Sequence, residues 1–259
     1  MASDRGLHLL DTFAGEGRTA FTAAEVRAAL DLSPQAASNL LTRLQRTGLV
    51  DRVSGGRYTI RPLGALGTAA VWDDIGSAVA AVFAGQPHRI SFLTALDHHG
   101  LLVRPVRPIQ VASAYRPRVA ALSGRPLRIV HEAPDTILLG TEPLGPSRIA
   151  SVARALLDTA ARPRFTNGAA QLAEALAAVD VLPEMADLAA RIAAWPAYRR
   201  IGSICATLAL PASHNLEPPL WRSLIDLDPT TDRHEGWVDT TWGVAWPYPP
   251  TELAAVTTQ

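Results

Sequence analysis

The sequence predicts an α+β fold in two parts. Three observations carry this. Two amphipathic stretches, separated only by Asp31-Leu32-Ser33, are followed by two short β-like runs around Ser54-Gly55-Gly56. Between Arg104 and Arg128 the prolines 105, 108, 117 and 126 interrupt helical periodicity and leave Ile109–Ser113 and Leu127–Val130 as strand-like runs. From Ser151 onward, apolar residues return at helical spacing in successive segments. The first pattern predicts a winged helix-turn-helix over residues 1–62. The others predict a mixed α/β domain over residues 63–259, with a small sheet and a C-terminal helical layer.

Asp4 to Ala14 is expected to form the first helix, with Leu7, Leu10 and Phe13 inward, and Phe21 begins the packing of the next elements. Thr22-Ala-Ala-Glu25 is a capping box, in which each side chain satisfies the other residue's backbone amide. Ala23, Val26 and Leu30 form the stripe of that helix. Ser33 caps the next one and Pro34 opens it, where a missing N–H costs no bond. Ala37, Leu40, Leu41 and Leu44 share one face, so Gln35, Ser38, Asn39, Thr42, Arg43 and Arg46 face outward. Gly48 ends the helix, and Leu49–Val53 with Arg57–Ile60 read as a two-stranded wing.

The exposed ridge of that second helix suits a DNA major groove. Gln and Asn pair bidentately with adenine and Arg with guanine. Arg52 and Arg57 flank the wing tip, where phosphates or the minor groove would lie. Double-stranded DNA is therefore the expected partner of Gln35, Ser38, Asn39, Thr42, Arg43, Arg46, Arg52 and Arg57. Winged helices also serve as protein-interaction modules, and a polar helix face is often simply solvated. Residues 1–62 carry eight arginines against six acids, a net of only +2, so charge alone does not decide.

The whole chain has a net charge of zero, so no global field favours nucleic acid or membrane. All 24 basic residues are arginine. That excludes a Walker-A lysine, a Schiff base and a lysine general base. Cys205 is the single cysteine, which excludes an internal disulfide and a multi-cysteine zinc site; its apolar neighbours mark an inert core thiol. The stretch MASDRGLHLLDTF lacks the long apolar core of a signal peptide, and no run approaches the ~20 apolar residues of a membrane span. A cytoplasmic protein without membrane contact, cofactor or metal is expected.

Leu66–Phe83 is expected to be helical, either linking the two parts or belonging to the second. Ser91 is expected to cap a short helix that Gly100 closes in a left-handed turn. His98 and His99 are adjacent and point about 100° apart on a helix, an awkward geometry for sharing one metal ion. Arg104, Arg107, Arg116, Arg118, Arg125 and Arg128 form the strongest charge asymmetry, with no acid between Asp97 and Glu132. They read either as a second surface for nucleic acid or an acidic partner, or as solvated charge protecting a sheet edge. Thr136–Thr141 and Arg148–Ala150 are expected to add short strands. Ser151 caps Val152–Ala161, on which Arg154 and Asp158 stand i, i+4 and are expected to pair on the surface, and Pro163 stops that helix. Three more helical stripes follow: Leu172, Leu176 and Val179; Met185, Leu188 and Ile192; Tyr198, Ile201, Cys205 and Leu208. Residues 201–259 are acidic, with a net of −5, and Trp237, Trp242, Val244 and Trp246 are expected in a strand pair as core residues.

Several of these stretches together resemble the AbiEi-type antitoxins of type IV toxin–antitoxin systems. The resemblance lies in Ser91-Phe-Leu-Thr-Ala-Leu-Asp-His-His-Gly-Leu101, in Ile149-Ala-Ser-Val-Ala-Arg-Ala-Leu-Leu-Asp158, in Ala197-Tyr-Arg-Arg-Ile-Gly202 and in Trp237-Val-Asp-Thr-Thr-Trp242, in that order along the chain. It implies that the winged part binds inverted repeats in its own promoter and represses its operon. It also implies that the second domain neutralises a cognate nucleotidyltransferase-like toxin encoded next door. None of these motifs is catalytic; physically they read as packing.

The expected function is thus a non-enzymatic DNA-binding antitoxin and autorepressor. The alternative is a winged-helix transcription factor whose second domain senses a small ligand. An enzyme would have to assemble Asp97, Asp135, Asp158 and His131, and the sequence shows no ligand spacing, activated nucleophile or phosphate loop for it.

Overall fold

The structure is a computed structural model that describes residues 2–18, 20–54, 56–61, 75–83, 85–122, 125–166, 168–232 and 234–257. The expected boundary at 62/63 and the first part of the predicted helix 66–83 lie outside the described residues.

The amino-terminal part contains α1 (Ala2–Gly15), β1 (Ala20–Thr22), α2 (Ala23–Leu30), α3 (Pro34–Arg46), β2 (Val50–Ser54) and β3 (Arg57–Ile60). Its sheet is antiparallel in the order β1-β3-β2, with a register shift between Arg52 and Ser54. The capping box forms as read: Glu25 N donates to Thr22 Oγ1 at 3.1 Å, and Thr22 N donates to Glu25 Oε2 at 2.6 Å. Asp31, at φ 49°, ends α2 in the left-handed region and turns the chain toward α3. Ser33 Oγ accepts from Ala36 N at 3.2 Å and starts α3.

The core of this part gathers Leu9, Leu10, Phe13, Phe21, Val26, Leu40, Leu41, Leu44, Val50 and Tyr58. Phe21 lies between the rings of Phe13 and Tyr58, at 5.4 and 5.9 Å between centroids. Leu9 takes the inward place expected of Leu7, which is 44% exposed. The face of α1 is thus turned from the predicted one, because Leu9, Leu10 and Phe13 meet α3 and the aromatic stack.

The second part begins with α4 (Ile75–Phe83), whose residues are nearly all buried. It packs against β4 (His88–Ile90) and β9 (Ser147–Ala150) on one side and touches β2 and β3 of the wing on the other. Arg57 Nη1 donates to Ala81 O across that contact at 3.4 Å. The sheet is larger than expected. It has six strands in the order β6-β7-β5-β4-β9-β8, the others being β5 (Ile109–Ser113), β6 (Ala121–Leu122), β7 (Arg125–His131) and β8 (Thr141–Leu144). It is mixed: β5 runs parallel to β7 and β4 to β9, and the remaining pairs are antiparallel.

Helices α5 (Phe92–His98) and α7 (Val152–Ala161) pack together, and α7 is covered in turn by α8 (Ala170–Ala177), α9 (Met185–Arg191) and α10 (Trp195–Thr207). Short α6 (Pro134–Ile137) and the turn over 138–140 take most of what reads as a strand over 136–141; Pro134 begins the helix, and extended chain resumes only at Thr141. The chain closes with a three-stranded sheet, β10 (Ile225–Asp226), β11 (Trp237–Asp239) and β12 (Val244–Trp246), in the order β10-β12-β11, then α11 (Pro250–Thr257). Trp242 and Trp246 are buried as expected. Trp242 lies in the turn before β12 rather than in a strand, and Trp237, on the edge strand, is 36% exposed. No helix among the described residues is long and apolar enough to cross a membrane.

Two polar placements differ from the expected ones. Ser91 precedes α5 but makes no side-chain cap; its hydroxyl donates to Asp158 instead. Arg154 and Asp158 do pair, with Arg154 Nε to Asp158 Oδ1 at 3.0 Å, yet they are buried at 2% and 7% exposure. The i, i+4 spacing fixed the pairing, and the helices laid over α7 decided that it would be internal.

Candidate nucleic-acid interface

The ridge on α3 follows from helix geometry. Ala37, Leu40, Leu41 and Leu44 are buried, which leaves Gln35, Ser38, Asn39, Thr42, Arg43 and Arg46 all exposed to solvent. Among the described residues, no part of the second domain covers them. Gln35 Nε2 donates to Asn39 Oδ1 at 3.2 Å, so the two amide side chains are ordered relative to each other one turn apart. Thr42 Oγ1 donates back to Ser38 O at 2.9 Å, which holds its methyl group outward.

The electrostatics favour an anion along this ridge. No residue of α3 is acidic. Two acids of the domain are engaged elsewhere, Asp51 held by Arg61 at 2.8 Å and Glu25 by Arg18, while Asp31 is exposed in the turn before α3. The Thr22 and Arg18 bonds outweigh burial and hold the Glu25 carboxyl below its ordinary range. Among the described residues, Arg43 and Arg46 form no ion pair. Arg52 is exposed on β2. Arg57 is half-buried, and its guanidinium is engaged with α4 through Ala81 O. Between α1, the α2–α3 turn and α3 lies an open groove of about 510 Å³, whose lining includes Arg5, Leu30, Leu32, Asn39 and Arg43.

The arginine-rich stretch of the second domain is laid along one end of the six-stranded sheet. Arg104, Arg107, Arg116, Arg118 and Arg128 are exposed and form no ion pair among the described residues. Arg125 is half-buried and donates to the carbonyls of Val106 and Arg107 at 2.8 and 3.0 Å, so its role is to tie the 104–108 loop to β7. Tyr115 meets Phe83 of α4 at 6.5 Å between ring centroids, and α4 carries the wing. Arg116 follows Tyr115 and, with Arg118, begins an exposed basic stripe.

The acids and histidine from which an enzyme would be assembled lie in different surroundings, Asp158 being buried among arginines. Asp97 Oδ2 accepts from Val106 N at 3.0 Å, while Asp135 and His131 are exposed. Among the described residues, no group of three or more His, Cys, Asp or Glu side chains could hold a metal. His99 Nε2 lies 2.8 Å from Ala150 O, joining the end of α5 to β9. Burial pushes the Cys205 thiol up to about 12.

Asp158 belongs to a buried ionic network that the sequence did not disclose. Arg89 donates to Glu132 Oε2 at 2.6 Å, to Asp158 Oδ2 at 2.8 Å and to Ile137 O at 2.8 Å. Arg154 bridges the same two carboxylates. Burial alone would lower the Arg89 guanidinium, but Asp158 and Glu132 hold it above its ordinary value. Burial likewise opposes the Glu132 charge, and Arg89 and Arg154 overcome it to hold the carboxyl below its usual range. With two cations and two anions the network is neutral, as a buried cluster must be to persist. Two further arginines of the resembling motifs, Arg199 and Arg200, serve the architecture. Arg199 donates to Trp242 O at 2.7 Å and Ser223 O at 2.9 Å, and Arg200 to Asp226 O at 2.7 Å and Ala160 O at 3.0 Å.

No curated protein sequence matches the chain. Among solved structures, the RV2827C protein from Mycobacterium tuberculosis has the same fold, with a TM-score of 0.66 at 16% identity over 97% of this chain and 94% of that one. Residues 7–57 match the MarR family. The chain thus carries, at its amino terminus, a MarR-type winged-helix DNA-binding domain of the kind found in transcriptional regulators.

Proposed function

We propose that this protein is a DNA-binding antitoxin and autorepressor of a toxin–antitoxin operon of the type IV, AbiEi kind, with no turnover of its own. The observation that carries the DNA half is the acid-free ridge of α3, six exposed side chains on a rigid helix that nothing else among the described residues covers. In this reading α3 enters the major groove. Gln35, Ser38, Asn39, Thr42 and Arg43 reach base edges, while Arg46 and Arg52 hold phosphates. Arg57, tied to α4, sets the angle of the wing against the second domain and adds its charge there. The stripe beginning at Arg116 extends the basic surface along the same duplex.

The antitoxin half is supported by the ordered motifs in the second domain that resemble AbiEi antitoxins. Their polar residues are spent on internal bonds: Asp158 on Arg89 and Arg154, Arg199 and Arg200 on carbonyls. A body so invested in its own rigidity suits a protein partner, here a nucleotidyltransferase-like toxin in the cytoplasm.

Co-expression with the adjacent gene tests both halves. The full chain should rescue growth and repress a reporter driven by its upstream DNA. Arg43→Ala should lose repression and keep rescue. Loss of both together would refute the separation of roles. The alternative, a winged-helix regulator whose second domain senses a small ligand, is favoured by one observation: a cleft of about 320 Å³ in that domain, whose lining includes Ser151, Glu184 and Arg191. A small molecule that weakens DNA binding without changing growth rescue would select it.

A further inference from the structure

A second cleft, of about 300 Å³, opens between the end of α7 and the start of α10. That is the lower limit of small-molecule pockets. One wall is made by Arg154, Asp158 and Glu132 of the buried network, whose fourth member, Arg89, lies behind them and completes its neutrality. Two further cations line the same cleft and are not neutralised by it. Arg162 is exposed and has no ion-pair partner among the described residues. Arg200 is half-buried and donates to the carbonyls of Ala160 and Asp226, and the charges of Asp226 and Asp228 offset its burial only in part. Carbonyl dipoles compensate a buried guanidinium less completely than a carboxylate does, and burial indeed lowers the Arg200 guanidinium from its ordinary value.

The cleft also carries backbone strain. Phe92 at φ 56° and Ala193 at φ 54° both line it in the left-handed region. An aromatic residue pays for that conformation, and such strain persists only where the surroundings over-determine it. Phe92 is held there by Phe165, at 4.9 Å between ring centroids, and by the Ser91–Asp158 bond just before it. The Phe92 side chain is itself buried, so the accessible apolar lining comes from Ile192, Ala193 and Pro196, in the same cleft as the Arg162 and Arg200 guanidinium groups.

We propose that this cleft binds a small phosphate-bearing ligand, its oxyanion held between Arg162 and Arg200 and its organic part against Ile192 and Pro196. The site is separate from α3, and the inference does not rest on the antitoxin reading.

Titration calorimetry and thermal unfolding of the full chain test it, with adenosine 5′-monophosphate, inorganic phosphate and adenosine as probes. The nucleotide should bind and raise the unfolding temperature, and adenosine should not. Tighter binding of the nucleotide than of phosphate identifies a phosphorylated organic ligand; equal binding identifies free phosphate as the occupant. Arg162→Ala, a change at an exposed side chain, should weaken binding about tenfold or more, as expected for a lost charge-assisted bond. Arg200→Gln should weaken it as well. Arg43→Ala should leave it unchanged, since that side chain lies on α3, and Arg162→Ala should leave duplex binding by α3 intact. Absence of binding by both phosphate probes, or binding that Arg43→Ala removes and Arg162→Ala does not, overturns the proposal.

Discussion

Replacing Arg89 by methionine removes the centre of the buried network while keeping much of its volume. In the native protein this side chain is fully buried and donates five hydrogen bonds, two to Glu132, two to Asp158 and one to Ile137 O. The variant leaves two carboxylates facing the single cation of Arg154. Breaking a buried pair from one side costs about 3–5 kcal/mol, chiefly through the charge left behind. In a protein of this size each kcal/mol lowers the unfolding temperature by about 2–4 °C, so a fall of about 10 °C is expected. Denaturant and thermal unfolding of Arg89→Met measure it directly. The cost should fall when Asp158→Leu is added, because the second change removes one of the stranded carboxylates. A loss below about 1 kcal/mol in the single variant, or strict additivity in the double, would refute the view that these groups act as one closed unit.

Arg43→Ala should weaken binding to the upstream operator by about 1–3 kcal/mol and binding to random duplex much less, as measured by fluorescence anisotropy, if its guanidinium pairs with guanine; equal losses on both would place it on phosphate. Arg116→Ala with Arg118→Ala should lower the magnitude of the logarithmic salt slope by about 2 on a duplex that extends past the wing, and leave it unchanged on one that stops short of it. Protonation of His88 should destabilise the fold. Burial depresses the pKa of this ring, which stacks on Phe83 at 4.8 Å. The neutral form is therefore favoured in the native state, and its contribution is complete above about pH 6.5 and is lost as pH falls toward the depressed native value. His88→Gln should flatten stability over that window. Glu132 is also depressed, so its contribution is lost only further into acid, below about pH 4.5. A variant with an unaltered profile between pH 7 and 5 would exclude His88 as the titrating group.

The winged part was legible almost residue by residue, because its signals are local. Thr22 and Glu25 stand three apart, Ser33 and Pro34 are neighbours, and Ala37, Leu40, Leu41 and Leu44 recur at the helical repeat. Every outward residue of α3 follows from that repeat. The exposed arginines 104, 107, 116, 118 and 128 were visible for a similar reason, since no acid within the stretch could pair with them. Spacing in one dimension also showed Arg154 and Asp158 as partners.

What the chain could not show in one dimension is which charges are drawn inside. Arg89 meets Glu132 and Asp158 across 43 and 69 residues, and only the packing of β4, α7 and the chain after β7 brings them within 3 Å. The same packing took Ser91 from capping α5 to bonding Asp158, and turned α1 so that Leu9 rather than Leu7 faces inward. Local propensity settles where a helix begins and which of its faces is apolar. Burial is a property of what lies opposite, so the fate of a polar residue on a half-buried face was decided only when the layers met.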